Sequence, residues 1–505
     1  MILRVPVAET ESRLEALSDR ISPIVVKEVR QMVRGREFNY SFALSIIAGL
    51  IAAFVAGTGA TAGTGEAGVR IFSSLTFCLA LIGLVISPLG AFSALRNERM
   101  ERTLDLVTVT TLPPRRIVIG KLMAQAVKLA TLFAALAPFV ATSFLLGGIG
   151  FPTIVLTLSG LFMWSLWACA AALFLSCLSK SRAISALILG VMIVFLLIVF
   201  VSSGIGFLMT RTVLGGPRVP GSPFSSLFAS GGSDVWWAAA AMTLVWGVTL
   251  INLVLLSENR LLLPTEDRST ALRIGFFVQF LLIIGFAVSN YFTRTVSPFS
   301  NPEGEFINIL AVLCGIHLAV VATFSVTEEL VLSRRIAQQI QAASGWRRYL
   351  EIFRPGAVRG AAYVMAQMLL LLVVAAMVVP ISGNDFGLLL AICGYICFFT
   401  GVPACIGRMI RSRRFQPLHL RLGIALLLLV AILLPDFLVY LATGDFGGIY
   451  SLRHVLDPFR TLGSWRDLTT APWHSLSALL GLIGVAAYLK LIQMGRTGSI
   501  TRVDR

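Results

Sequence analysis

The sequence predicts an all-α polytopic membrane protein of about twelve transmembrane helices, arranged as two parallel six-helix pseudo-repeats with both termini cytoplasmic. Three observations predict it. Of 505 residues, 57% are hydrophobic and only 13% charged, and the mean hydropathy is +0.86; soluble domains carry about 25% charged residues. The apolar residues gather into runs near the ~20 residues that cross a hydrocarbon core. The cations fall in alternate loops, as membrane orientation requires.

Residues 1–38 read as a cytoplasmic N-terminus, polar or amphipathic rather than a secretory leader. Within it, SPIVVKEVRQMVRGREF (22–38) reads as one helix. Lys27, Arg30, Gln31 and Arg34 share one face, and Val25, Val29, Met32 and Val33 the opposite one. Ser22-Pro23 is a start signal. Such a helix lies in the interface with its cations near anionic headgroups, and Glu28 sits among them. A cytoplasmic extension with a chance apolar stripe is the blander alternative.

Twelve apolar runs follow, near 39–57, 72–95, 124–146, 152–176, 184–207, 236–256, 273–292, 306–327, 359–380, 387–405, 421–440 and 473–492. With the N-terminus inside, 33 of the 41 Lys and Arg are cytoplasmic and seven external. The division is then 39–256 for the first six-span half, 257–272 for a cytoplasmic linker, 273–493 for the second half and 494–505 for a cytoplasmic tail. The halves echo one another. In each, the longest cytoplasmic loop follows the second run and the longest external loop the fifth. Pro223-Phe224-Ser225-Ser226-Leu227 before Trp236 is answered by Pro458-Phe459-Arg460-Thr461-Leu462 before Trp473. An even number of spans per half makes the repeats parallel, with a pathway between them as the natural geometry.

The net charge of +16 is absorbed by this topology, so nucleic acid is not an expected partner. The seven cysteines read as small hydrophobes; Cys393 and Cys397, spaced i, i+4, leave a metal or redox pair open. His317 lies mid-span and reads as a packing residue, with a proton carrier as the alternative. Pro88, Pro138 and Pro403 fall inside runs and read as gating hinges or as static kinks.

Two charged cytoplasmic loops stand out. In NERMERTLDLVTVTTLPPRRIVIGK (97–121), Glu98, Glu101, Arg102 and Asp105 line one helical face, and Pro113-Pro114 ends or re-aims the chain. The loop 327–360 is charged and helix-prone, carries Glu328, Glu329, Arg347 and Arg348, and ends in Arg354-Pro355-Gly356. The first reads as a docking element for a cytoplasmic partner, or as a solvated connector.

The first of these loops resembles the segment between the second and third spans of permeases of type-2 ATP-binding-cassette (ABC) transporters, whose pattern runs E-x-x-x-G-T-L-E-L-L-L-x-T-P-L-S-x-x-x-I-V-L-G-K. Glu98, Thr103, Leu104, Asp105, Leu106, Thr110, Leu112, Ile117, Val118, Gly120 and Lys121 match. Arg102, Thr111 and Pro113 depart, standing where glycine, proline and serine are expected; a proline is kept at Pro114. The N-terminal helix is similar to that family's interfacial helix at Pro23, Lys27, Glu28, Arg30, Arg36 and Phe38. The second half is similar by topology alone; the resemblance implies that 327–360, with Glu328, Glu329, Arg347 and Arg348, is the second docking element, though it lacks the first loop's signature. The resemblance implies a membrane subunit that moves a solute, lipid or polymer outward, while a separate cytoplasmic ATPase, in two copies and carrying the ATP and Mg, pushes on the loops. The coupling residues it implies are Glu98, Glu101, Arg102, Thr103, Asp105, Pro114 and Lys121. The bilayer of a bacterial inner or plasma membrane is the implied location.

The sequence also bears on the energy source. A phosphate-cradling loop needs G-x-x-x-x-G-K-[ST]. At Gly120-Lys121, Arg115 holds the first glycine position and Leu122 that of the hydroxyl, so no cofactor and no catalysis are expected of this chain itself. No Asp or Glu falls within a predicted span apart from Asp436, at the external boundary of the 421–440 run, which argues against the alternative of an ion-coupled secondary carrier. A non-transporting membrane scaffold is a further alternative.

Overall fold

The computed structural model describes residues 23–58, 64–100, 113–147, 149–178, 181–213, 233–262, 266–293, 302–328, 335, 338, 351–378, 384–409, 417–443, 452–465 and 471–500. Among these residues the regular structure is all helical. In chain order the helices are α1 (Pro23–Val33), α2 (Arg36–Thr58), α3 (Thr64–Leu81), α4 (Ser87–Met100), α5 (Pro114–Leu145), α6 (Phe151–Leu178), α7 (Arg182–Val213), α8 (Ser233–Leu261), α9 (Thr270–Thr293), α10 (Pro302–Ile309), α11 (Gly315–Val326), α12 (Ala357–Val378), α13 (Asn384–Met409), α14 (Pro417–Thr443), α15 (Pro458–Gly463) and α16 (Ala471–Ile500). The apolar runs of the sequence fall on these helices, those near 72–95 and 306–327 each on two helices and the π turn between them. Ten helical stretches among the described residues are long and apolar enough to cross a membrane.

The outer faces carry the same message. On α7, Leu187, Val191, Val194 and Ile198 stand exposed; on α14, Leu422, Leu426, Leu429 and Leu433 do. Both stripes follow helical spacing. In water such faces would aggregate; against acyl chains they are at home, because each helix satisfies its backbone internally. Hydroxyls inside the spans bond back to their own helix: Ser45 donates to the Ser41 carbonyl at 2.8 Å and Ser165 to that of Leu161 at 2.7 Å. The chain is a multi-pass membrane protein.

It divides into two compact units, one of 1–235 with 249–262, the other of 236–248 with 263–505. The cut falls inside α8, whose N-terminal part, Trp236–Val248, belongs to the second unit.

In the first unit, the expected single helix over 22–38 is broken. α1 stops at Val33, the Gly35 N–H bonds the Met32 carbonyl at 2.9 Å, and α2 starts afresh at Arg36. Gly35, a poor helix former, sits at this break, and a Cβ there would lie 3.0 Å from the Met32 carbonyl oxygen. α3 and α4 form one rod joined by a wide π turn at Ile82–Ile86. Pro88 explains it, since a ring nitrogen without a proton cannot continue the i→i−4 ladder. The wide turn carries Gly83 against α6, where a Cβ would sit 2.2 Å from the Ser165 hydroxyl. Around this rod Phe92, Leu95, Leu129, Cys169 and Leu173 form the core.

Pro113 is extended and Pro114 is the first residue of α5, so the double proline opens a helix instead of closing a hairpin. The 32 residues of α5 reach well beyond the apolar run that begins at 124.

The second unit is organised by the crossing of α13 and α16. Gly394 faces Gly481 with a Cβ position 2.9 Å from its Cα, and a Cβ on Gly484 would lie 2.3 Å from the Phe398 nitrogen. Small residues let the backbones touch, which is how helices gain dispersion energy in lipid. Tyr488, fully buried, and Thr400 share a hydrogen bond of 2.8 Å across the same crossing. A second π turn, Leu310–Cys314, interrupts the second long helix of this unit just as the first does in the other. At the far end, Asp457 caps α15 by accepting from Phe459 N at 3.0 Å, and Arg460 reaches back to Asp436 on α14. Burial pushes the Asp457 carboxyl above the usual carboxylate range. Tyr395 on α13 holds this segment by donating to the Val455 carbonyl at 2.6 Å.

Gly484→Ala should lower the thermal unfolding midpoint in detergent, with a loss of about 2 kcal/mol as backbones separate. Gly423→Ala, on a helix position where nothing lies within 4 Å of the added carbon, should leave it unchanged or slightly raised.

Candidate functional site

The loop and the interfacial helix singled out in the sequence meet at one ammonium. Lys121, in the second turn of α5, is 3% exposed and its Nζ lies 2.8 Å from Glu98 Oε1 and 3.2 Å from Glu28 Oε1. Glu98 ends α4, Glu28 is the middle of α1, and Lys121 starts the third span. Three elements converge because each has its reason to be there. α1 turns Val25, Glu28, Val29 and Met32 inward against α5 and leaves Lys27, Arg30, Gln31 and Arg34 exposed. α5 begins early, at Pro114, and so carries Lys121 to the level where α4 ends. The long lysine stem is buried along the apolar wall while its charge meets two carboxylates, the paired arrangement that a buried cation needs.

A second charged position lies deeper on α5. Lys128, seven residues on, is buried. A Cβ on Gly90 would lie 2.8 Å from the Glu37 carboxylate and 3.4 Å from the Lys128 ammonium. Glycine at 90 thus leaves the room in which these two charges approach. Gln125, between the two lysines on the same face, has its amide oxygen buried without a hydrogen bond.

The second unit has its own node, which the sequence analysis missed. Arg273, in the first turn of α9, is 1% exposed. It donates to Glu328 at 2.7 Å, to the Arg354 carbonyl at 2.6 Å, to that of Ile352 at 3.2 Å and to that of Gly356 at 3.1 Å. The Gly356 N–H in turn donates to Glu328 at 2.9 Å. Gly356 takes φ +117°, a backbone conformation reserved in practice for glycine, and so offers both its N–H and its carbonyl to the same pair. Gly360 lets α12 close on α11, with a Cβ position 2.1 Å from the Ser325 carbonyl oxygen. The two feet of the 327–360 loop are therefore tied to each other and to α9. Arg408 donates to the Val326 carbonyl at 2.6 Å and Arg421 to the Thr327 hydroxyl at 2.9 Å, so cations also gather at the C-terminal end of α11. Arg99 does the same for α6 by donating to the Cys177 carbonyl.

Of the predicted coupling residues, Glu98, Pro114, Lys121 and Glu328 are thus placed, with the interfacial Lys27, Glu28, Arg30 and Arg34. Glu101, Arg102, Thr103, Asp105, Glu329, Arg347 and Arg348 lie outside the described residues. Glu98 and Lys121 bond within the chain, so their first role is to hold the end of the loop. A sequence signal for Arg273 existed: a cation at the very start of an apolar run, with an acid at the end of the next.

Other candidates make packing contacts, and the His317 Nε2 is buried without a hydrogen bond. His317 lies between Phe276 and Phe280, ring centroids 5.8 and 5.5 Å away. The Cys397 thiol contacts the Met368 sulfur at 3.5 Å. Among the described residues all cysteines are free and none gathers with His, Asp or Glu into a metal-binding group.

Lys121→Met strands two carboxylates and should lower stability by about 3 kcal/mol, the lower end for breaking a buried pair because both acids are partly exposed. Glu28→Gln, which keeps a hydrogen-bond acceptor, should cost about 1 kcal/mol. In a double-mutant cycle of the two, read by unfolding midpoints, the effects should be non-additive. Arg273→Lys keeps the charge but loses the planar fork and should cost about 2 kcal/mol. Arg359→Lys, in a half-exposed pair with Glu351, should be nearly neutral.

Compared with known proteins, the chain matches no family model, no curated protein and no solved structure.

Proposed function

We propose that the chain is the membrane-spanning permease subunit of an ATP-driven exporter of the type-2 ABC kind. In this reading its two six-span halves run in parallel, both termini are cytoplasmic, and the chain forms the translocation pathway in a bacterial inner or plasma membrane. It is not itself catalytic. Two copies of a separate cytoplasmic ATPase, which hold the ATP and Mg, act on its loops.

One observation carries the reading. The two segments that resemble the family, α1 and the 98–121 loop, are bonded to each other through Glu28, Lys121 and Glu98. A push on the loop would therefore reach α5 and the interfacial helix together. Supporting it, each unit has a π turn in its second long helix, followed by an acid in a buried ion pair: Ile82–Ile86 before Glu98, and Leu310–Cys314 before Glu328. Such wide turns recur where helices must adjust. A repeat of function is a natural reason for the recurrence.

A second reading, an ion-coupled carrier, is favoured by the approach of Lys128 and Glu37 around Gly90, since charges at membrane depth mark ion pathways in carriers. It ranks below the first because Glu37 stands in the first turn of α2 and is exposed.

Purified from its native membrane, the chain should bring down an ATPase bearing a phosphate loop, and should alter that enzyme's ATP hydrolysis. Glu101→Lys with Asp105→Lys should reduce the association about tenfold, since like charges across an interface are strongly unfavourable. An absent ATPase, or an association unchanged by the double reversal, refutes the proposal. Export that survives ATP depletion but stops with the proton gradient, and is lost in Glu37→Gln, would establish the carrier instead.

A further inference from the structure

The exposed face of α1 has a shape as well as a charge. Lys27, Arg30, Gln31 and Arg34 stand at i, i+3, i+4 and i+7. With Val26 and Gly35 they line a groove of about 530 Å³. Gly35 adds no side chain, so the groove stays open at that end. Among the described residues the ion pairs of this helix use Glu28 alone, and none of the three cations is paired. The opposite face is fixed by the Glu28–Lys121 bond, so the helix cannot roll to hide its cations.

The depth of the groove follows from the next helix. α2 begins at Arg36; Tyr40 is exposed on it, followed by Leu44, Ile47, Ile51 and Phe54, all exposed. An aromatic with a polar tip followed by an outward apolar stripe marks the boundary between headgroups and acyl chains. The groove lies just on the polar side of that boundary, where lipid phosphates are.

We propose that this groove is a binding site for the headgroup of an anionic phospholipid. Arg30 and Arg34 present planar forks suited to two phosphate oxygens, Lys27 adds a point charge, and the Gln31 amide can bond the glycerol or ester oxygens. A zwitterionic headgroup fits poorly, because its ammonium would face three cations. A free phosphate would share the charge contacts but lacks acyl chains to lie along the outward face of α2. This site goes beyond the transport reading and does not depend on it.

The test uses the full chain in a non-ionic detergent, followed by native mass spectrometry with added phosphatidylglycerol, phosphatidylcholine or inorganic phosphate. The wild type should retain one phosphatidylglycerol with about tenfold preference over phosphatidylcholine, and the combined Lys27→Gln, Arg30→Gln, Arg34→Gln variant should lose that preference. The variant keeps Glu28 and the apolar face, and its unfolding midpoint without lipid reports whether it folds. On the wild type alone, raising salt to about 1 M should weaken retention severalfold, because charge contacts are screened over ~3 Å there. Equal retention of both lipids, retention unchanged in the variant, retention indifferent to salt, or displacement of the lipid by inorganic phosphate would each overturn the assignment.

Discussion

The Lys121 ammonium is the constraint on which the meeting of α1, α4 and α5 in the first unit depends. A cation 3% exposed is untenable without compensation, and its compensation comes from two helices that would otherwise have little to hold them. α1 is only 11 residues long, too short to persist alone. Glu28 gives it a fixed address. Glu98 gives the end of α4 the same address. The bond therefore fixes together the end of α4 and the start of α5, the two described ends that flank 101–112. Arg273 imposes the equivalent condition in the second unit, with backbone carbonyls doing most of what carboxylates do in the first.

The arginines follow a common electrostatic logic. Arg99 reaches the end of α6, and Arg273, Arg408 and Arg421 reach the end of α11 or the loop beside it. The last turn of a helix has carbonyls without partners and a partial negative charge. At the membrane boundary water is scarce, so an arginine that supplies several donors is worth more there than on a soluble surface. These arginines thus finish helices by meeting carbonyls at their ends.

Within the spans the forces differ. Lipid is as apolar as leucine, so burial of leucine against leucine gives little. What distinguishes the packed faces is closeness and the pairing of stray polar groups: Gly394 against Gly481, Gly83 against Ser165, Tyr488 with Thr400. The outward faces keep bulky apolar residues, as on α14. Pro88 and its π turn show how a residue that breaks the hydrogen-bond ladder can be used to bring a small residue into contact. Of Pro88, Pro138 and Pro403, it is Pro88 that directly follows a π turn.

By itself the sequence determined that the chain lives in a bilayer, where its apolar helices run, and which stretches project from them, because span length and charge placement are local properties of the chain. It also marked Glu28, Glu98 and Lys121 individually, through a resemblance carried by short motifs. Only the tertiary structure decided that these three are one site, since the partners lie 23 and 93 residues apart and meet only after α1, α4 and α5 have docked. It likewise decided that 22–38 holds two helices, α1 ending at Val33 and α2 starting at Arg36, since where a helix breaks depends on what each part packs against. For Arg273 the sequence offered only the pairing of a cation at the start of one apolar run with Glu328 at the end of the next; its three carbonyl partners belong to groups that every residue possesses, and only the fold brings them together.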